Sequence, residues 1–116
     1  MYIVYGIKNC TTIKKTLDWL ESHQIPYAFH NYKTEGISQQ QLLSWCRQVG
    51  WEALVNKKGS TWRGLDDAIK EKQLNQKEAV KLMATHTSLI KRPLIEKNNK
   101  IVLIGFDAVQ YEQLLT

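Results

Sequence analysis

Cys10 is the residue of this chain whose position favours chemistry most clearly. It stands between the short apolar run YIVYG and a lysine-rich segment with helical spacing. A cysteine at the start of a helix faces unpaired backbone N–H groups and the positive end of the helix dipole, and both stabilise a thiolate. The position therefore favours a reactive nucleophile. The alternative is an inert residue packed against the sheet, because free cysteines are often buried.

The neighbours of Cys10 would favour the charged form of its thiol. They supply cations and hydrogen-bonding groups: Lys8, Asn9, Thr11, Thr12, Lys14 and Lys15. No second cysteine follows at CxxC spacing, so a local dithiol is absent. The resolving thiol would come from glutathione, from another protein, or from the distant Cys46.

Cys46, the three histidines and the glycines give no sign of a chemical role. Cys46 lies beside Trp45 on the predicted helix face that carries Leu42 and Val49, so we expect it to pack in the core. The three histidines do not have the spacing of metal ligands, and no glycine-rich phosphate loop is present. The sequence predicts no metal site and no nucleotide site.

The composition is that of a soluble globular protein. The chain has 116 residues, 43% hydrophobic and 23% charged, with a formal net charge of +5. These values predict one domain over residues 1–116. No membrane span or secretory signal is recognisable, so we expect a cytoplasmic monomer with reduced thiols. The basic residues form no block, which predicts a small anionic partner and no nucleic acid, and the lack of a membrane span predicts no membrane partner.

Hydrophobic periodicity predicts the elements that position Cys10. The predicted strands cover residues 2–5, 27–32, 93–97 and 100–106, and the predicted helices cover 10–23, 38–50, 65–72, 75–86 and 107–115. Capping pairs mark three helix starts, at Ser38, Asn75 and Asp107. Asn98 and Asn99 predict a hairpin turn, because asparagine tolerates positive φ.

The buried faces and the loop follow from the same pattern. Residues 56–64 predict a polar surface loop before the helix at 65–72. The predicted buried face of the helix at 75–86 consists of Ala79, Leu82 and Met83, and the apolar residues of the last helix are Val109, Tyr111, Leu114 and Leu115. The element order predicts an α/β fold of thioredoxin-like type, in which a βαβ unit, a helical insertion and a ββα unit form a mixed four-stranded sheet with helices on both faces.

Three stretches resemble the ArsC/Spx family, in particular its small YffB-like branch. They are YGIKNCTTIKK from residue 5, NKKGSTWR over 56–63, and the run Ile90-Lys91-Arg92-Pro93. The resemblance covers nearly the whole chain and implies a thioredoxin-like fold with an inserted helical segment. In family members that reduce arsenate, the residue matching Cys10 attacks the oxyanion, glutathione displaces the product and glutaredoxin clears the mixed disulfide.

The resemblance also implies roles for other residues. Arg92 would hold an anion, Pro93 would be the cis proline, and Lys8 and Lys91 would line the rim, with Arg63 a partial substitute for missing arginines. Family arginines are absent near Asn56 and Gly105, and Gly6 stands where arsenate reductases carry histidine.

We therefore expect a glutathione-dependent thiol reductase, a thiol-disulfide oxidoreductase resembling glutaredoxin-coupled arsenate reductases. Cys10 would be its catalytic residue. Lys8, Asn9, Thr11, Thr12, Arg63, Lys91, Arg92 and Pro93 would bind substrate or glutathione. Glutathione would be a co-substrate rather than a bound cofactor, and glutaredoxin a further partner. The alternative is a regulator or binding module similar to the Spx branch that contacts RNA polymerase.

Overall fold

The computed structural model describes residues 1–71 and 74–115. The regular elements in chain order are β1 (Tyr2–Gly6), α1 (Thr11–Ser22), β2 (Tyr27–Asn31), α2 (Tyr32–Glu35), α3 (Gln39–Val49), α4 (Ser60–Arg63), α5 (Asp67–Glu71), α6 (Gln76–Thr85), β3 (Leu94–Lys97), β4 (Lys100–Ile104) and α7 (Ala108–Leu115). Two short 3-10 turns cover Trp51–Ala53 and Thr87–Leu89.

The chain folds as two compact units. The first contains Met1–Glu35 and Arg92–Thr116, and the second contains Gly36–Lys91. All four strands belong to the first unit, and α3 to α6 belong to the second. That residues 1–116 act as one domain stays a prediction.

The sheet of the first unit is mixed and has the order β2-β1-β3-β4. β1 runs parallel to β2, whereas β3 runs antiparallel to both β1 and β4. Asn98 and Asn99 have φ values of 53° and 64° in the turn between β3 and β4. The predicted α/β class, the mixed four-stranded sheet and the hairpin are confirmed.

The strand ends differ slightly from the prediction. Tyr32 begins α2 instead of extending β2, and β3 begins at Leu94, because Pro93 has no N–H to donate to a ladder. β4 ends at Ile104, and Gly105 follows with a φ of +91°. A positive φ of this size is unstrained only for glycine, so the strand cannot continue through it.

The core of the first unit joins the sheet to α1 and α7. Its buried residues are Val4, Leu20, Ile95, Leu103, Tyr111 and Leu115. Of the apolar residues of α7, Val109 and Leu114 are 66% and 52% exposed. Tyr111 and Leu115, four positions apart, define the inward stripe of α7, and the other two fall outside it.

Two predicted caps shape the helices of the second unit. The Ser38 side chain accepts the N–H of Gln41 at 3.1 Å at the start of α3, and Asn75 accepts the N–H of Glu78 at 2.9 Å before α6. Gly50 ends α3 with a φ of +83°. Leu42, Trp45 and Cys46 are buried as predicted, but Val49 is exposed. On α6 the buried residues are Ala79, Val80 and Met83, so Val80 replaces the predicted Leu82.

The segment between these helices is less regular than predicted. The predicted loop over 56–64 contains the helical turn α4, and α5 starts two residues later than the predicted residue 65. Lys72, the predicted end of that helix, lies outside the described residues. None of the helices in residues 1–71 and 74–115 is long and apolar enough to cross a membrane.

Candidate functional site at the start of helix α1

Gly6 brings β1 very close to the first helix. A Cβ atom at this position would clash with the side chain of Ile13, which lies on the buried face of α1. The absence of a side chain therefore lets the β1–α1 connection pass tightly over the helix. A larger side chain has no room here without a shift of Ile13.

Cys10 is the N-cap residue of α1. Its backbone is extended, with φ −116° and ψ 130°, and its carbonyl accepts the first helical hydrogen bond from the Lys14 N–H at 3.0 Å. The sulfur makes no complete cap hydrogen bond, although the N–H groups of Thr12 and Ile13 face it. The half-buried thiol thus points at the unpaired donors of the first turn, where a negative charge is favoured.

Arg92 supplies the positive charge beside this sulfur. Partial burial raises the pKa of the Cys10 thiol, but the N–H of Ile13, the Arg92 guanidinium and the N–H of Thr12 together outweigh burial and lower it. Arg92 precedes Pro93, and the peptide bond between them is cis. Since a guanidinium keeps its charge at all working pH values, the thiolate has a permanent counter-ion.

A groove of about 660 Å³ opens along α1 from the sulfur. Its floor is apolar, formed by Ile13 and Leu17. Basic and acidic side chains are separated along its length. The polar and charged residues that line it are Lys8, Asn9, Thr11, Lys14, Asp18 and Glu21. The groove offers cations next to the sulfur and carboxylates about two turns further along the helix.

The predicted binding residues divide between the two units. Lys8, Asn9, Thr11, Thr12, Arg92 and Pro93 lie in the unit that contains Cys10, and Lys91 and Arg63 lie in the other. Nη1 of Arg63 donates to the Lys58 carbonyl at 2.7 Å, so this side chain braces its own loop. The Lys91 N–H donates to the Leu54 carbonyl at 2.7 Å, and its side chain is exposed.

The other candidate ligands contribute little. Cys46 is 5% exposed, and burial raises the pKa of its thiol. Within residues 1–71 and 74–115 no three His, Cys, Asp or Glu side chains are grouped so as to hold a metal ion. The lack of a metal in this protein stays a prediction.

Sequence reasoning missed three buried polar residues of the first unit. Tyr5, Tyr32 and Glu96 are 6%, 2% and 1% exposed. The sequence pattern places Glu96 and Tyr32 only in strands and carries no signal of their burial, because the burial of Glu96 depends on the register between β1 and β3 and Tyr32 is predicted as the last residue of a strand.

Comparison with known proteins shows the family of this chain. The model of the ArsC family matches residues 5–114. The chain belongs to the ArsC family. The predicted resemblance to the ArsC/Spx family and its YffB-like branch is confirmed.

Two solved structures of ArsC-like proteins are similar over almost the whole chain. The YFFB (PA3664) protein is 40% identical, with a TM-score of 0.92 and full coverage of both chains. An arsenate reductase (ArsC) related protein from Brucella melitensis is also 40% identical, with a TM-score of 0.79, covering 97% of this chain and 92% of its own. These matches confirm the predicted thioredoxin-like fold of this ArsC-family chain.

A third relative corrects one prediction. The global transcriptional regulator Spx of Streptococcus mutans serotype c is 30% identical over 109 residues, which cover 92% of this chain and 77% of the regulator. The prediction that excluded a nucleic-acid partner is wrong, because relatives of this ArsC-family chain are regulators of transcription. It failed because scattered basic residues exclude only a continuous phosphate-binding patch, not an association with transcription.

Proposed function

We propose that this chain is a glutathione-dependent thiol reductase in which Cys10 forms a mixed disulfide. The observation that carries this proposal is the contact between the Cys10 thiol and Arg92 at the first turn of α1, which lowers the pKa of the thiol. The thiolate is the reactive form in disulfide exchange, so a lowered pKa raises the fraction that can attack near neutral pH.

The reaction consists of two exchanges. The Cys10 thiolate attacks the glutathione sulfur of a disulfide between glutathione and a substrate thiol. The S–S bond breaks, the substrate sulfur leaves with the electron pair and takes a proton from solvent, and glutathione stays bonded to Cys10. A second glutathione thiolate attacks the bound glutathione sulfur, which restores the Cys10 thiolate and releases glutathione disulfide. Overall, the mixed disulfide and one glutathione give the substrate thiol and glutathione disulfide.

The second thiol in this scheme comes from solution. CxxC is absent after Cys10, and Cys46 is buried in α3 with a raised pKa, which makes its thiol a poor nucleophile. Glutathione or the thiol of a glutaredoxin would therefore clear the mixed disulfide. We propose a cytoplasmic location, because glutathione there keeps such thiols reduced.

The groove along α1 suits the rest of the glutathione molecule. Glutathione carries two carboxylates and one ammonium group. Lys8 and Lys14 lie at the end of the groove near the sulfur and can pair with the carboxylates, while Asp18 and Glu21 can pair with the ammonium group. Glu21 already accepts a hydrogen bond of 2.8 Å from Tyr27, which holds its carboxylate in place.

A mixed disulfide of glutathione is a better substrate for this site than arsenate. Arg92 is the one arginine in the sequence of the unit that carries Cys10. Each charge-assisted hydrogen bond to an oxyanion contributes about 1.5–3 kcal/mol, so a site with one guanidinium binds a small oxyanion weakly. A peptide thiol gains additional contacts along the groove that arsenate cannot reach.

The test compares the wild-type protein with Cys10→Ser and Cys46→Ser variants. A mixed disulfide of glutathione and a small thiol serves as substrate, glutathione as reductant, and arsenate with glutaredoxin as a second arm. We expect wild-type protein and Cys46→Ser to turn over the disulfide and Cys10→Ser to lose turnover. Equal rates for all three proteins would refute the proposal. Turnover of arsenate without turnover of the disulfide would show that arsenate, not a mixed disulfide, is the substrate.

A second candidate function is regulation of transcription. It is favoured by the 30% identity to the Spx regulator over 92% of this chain. In this case the protein would act as a binding module that contacts RNA polymerase, without a CxxC switch next to Cys10. Affinity purification of tagged protein from its own cells tests this candidate. Recovery of polymerase subunits by wild-type protein and Cys10→Ser alike would support binding that is independent of the thiol.

A further inference from the structure

A carboxylate is buried on the sheet strand that follows the Arg92–Pro93 segment. Glu96, in β3, is 1% exposed. In the register of β1 and β3, Ile3 pairs with Glu96 and Tyr5 pairs with Leu94, so Tyr5 and Glu96 share one face of the sheet. Burying a charge costs several kcal/mol unless hydrogen bonds and an opposite charge compensate it.

Tyr5 supplies the hydrogen bond. Its hydroxyl donates to Oε1 of Glu96 at 2.9 Å. Burial, followed by the hydrogen bond and the charge of Glu96, raises the pKa of Tyr5 far above its ordinary value, so the phenol remains a donor at every physiological pH. This hydrogen bond holds one oxygen of the Glu96 carboxylate in place.

Tyr32 links this pair to Arg92. Its ring stacks on Tyr5 with centroids 6.1 Å apart, and its hydroxyl has no hydrogen-bond partner among the described residues. Burial raises the pKa of Tyr32, the nearby Tyr5 and the Glu96 carboxylate raise it further, and Arg92 opposes them. The guanidinium and the Glu96 carboxylate therefore act on the same buried hydroxyl, and Nε of Arg92 is itself buried.

Two other ionisable groups face Tyr5 from β2 and α2. The ring of His30 contacts that of Tyr5 in a tilted arrangement with centroids 4.8 Å apart, and its Nδ1 lies 3.9 Å from Oε1 of Glu35. The charge of Glu35 also acts on Tyr5. Glu35 is 53% exposed, however, so solvent screens its charge far more than that of Glu96.

We propose that Glu96 is a positioning residue that holds the Arg92 guanidinium beside the Cys10 sulfur. The inference rests on the proposed function, because it assigns Glu96 a role in the same thiol site. When Cys10 is a neutral thiol or a mixed disulfide, the sulfur offers Arg92 no charge. The Glu96 carboxylate is the buried negative charge in the described residues that keeps the guanidinium inside in those states.

The test is the pH dependence of Cys10 alkylation in a Glu96→Gln variant. Glutamine keeps the shape of the side chain and an oxygen that can accept from Tyr5, so we expect the fold to persist, which thermal unfolding checks. Iodoacetamide labelling is followed at Cys10 by peptide mass spectrometry, which separates it from Cys46. Glu112→Gln, on the exposed side of α7, is the control for an equal change in net charge.

We expect the alkylation profile of Glu96→Gln to move to higher pH. Below the thiol pKa, Cys10 of Glu96→Gln should be alkylated more slowly than that of wild type by about threefold or more, while the alkylation rate of Glu112→Gln matches wild type. An unchanged profile would overturn the proposal. A shift to lower pH would also overturn it, because Glu96 would then merely weaken the field of Arg92.

The experiment separates this inference from the proposed function. Iodoacetamide labelling needs no glutathione, so it measures the effect of Glu96 on the thiol even if glutathione is not the reductant. Incubation of wild-type protein with glutathione disulfide measures the proposed chemistry. A wild-type protein that forms no glutathione adduct but shows the expected Glu96→Gln shift would refute the proposed function alone.

Discussion

Cys10 and Arg92 meet although they lie far apart in the sequence, because each is attached to one of two adjacent antiparallel strands. Tyr5, near the end of β1, pairs with Leu94 at the start of β3. The segment that leaves β1 and the segment that enters β3 therefore lie at the same end of these two strands. At this end the Arg92 guanidinium helps to lower the pKa of the Cys10 thiol.

Replacing Arg92 should weaken the proposed disulfide exchange more than it weakens the fold. In Arg92→Gln we expect the pKa of Cys10 to rise and the turnover of a glutathione mixed disulfide to fall by about tenfold or more, because a charge-assisted contact is lost. Arg47→Gln, on the exposed surface of α3, is the control. Steady-state kinetics and alkylation rates measure both effects, and equal loss in the two variants would contradict a specific role for Arg92.

The two buried tyrosines near Glu96 should respond differently to loss of the hydroxyl. Tyr5→Phe leaves the buried carboxylate without its donor, so we expect a loss of about 1–3 kcal/mol in the free energy of unfolding. Tyr32→Phe removes a hydroxyl that bonds to no described residue, so its stability should equal or exceed that of wild type. Denaturant unfolding compares the pair, and a larger loss for Tyr32→Phe would contradict the assigned contacts.

A side chain at position 6 should destabilise the folded protein. In Gly6→Ala the new Cβ meets Ile13, so we expect destabilisation by about 1–3 kcal/mol, the usual cost of overpacking. The double variant with Ile13→Val removes the offending methyl group and should recover part of this loss. Thermal or denaturant unfolding of the single and double variants tests this, and an additive loss would refute the steric explanation.

The protein should lose stability in alkali through its buried tyrosines. Burial raises the pKa of Tyr111 to about 12, against 10.0 for an exposed tyrosine. The folded state therefore binds this proton more tightly, and its contribution is complete below pH 10 and is lost as the pH rises toward about 12. We expect Tyr111→Phe to show a smaller alkaline loss than wild type. A pH series of unfolding curves tests this, and identical slopes would contradict it.

Local rules predicted the parts of the fold that depend on neighbouring residues. Ser38 and Asn75 cap helices, and Asn98 adopts positive φ, because these features need only a side chain and its own backbone. The buried pair of Tyr5 and Glu96 could not be predicted in this way, since it depends on the register between β1 and β3.

The site was likewise predictable only in part. The helix start explains why Cys10 stands out. The sequence predicts that nearby lysines supply the positive charge that stabilises its thiolate. The pKa of the thiol is lowered by the N–H of Ile13 and by the Arg92 guanidinium, and the role of Arg92 was implied by family resemblance rather than by spacing. The exposure of Val109 could not be read from the sequence for a related reason, because an apolar residue in a short helix faces inward only if tertiary packing selects its stripe.

The position of Cys10 as the N-cap of α1 couples its oxidation state to the helix itself. A thiolate interacts with the N–H groups of Thr12 and Ile13, whereas a neutral mixed disulfide offers them no negative charge. We therefore expect amide hydrogen exchange in the first turn of α1 to be slower in the reduced protein than in the glutathionylated one, so that this turn reports the progress of the proposed disulfide exchange.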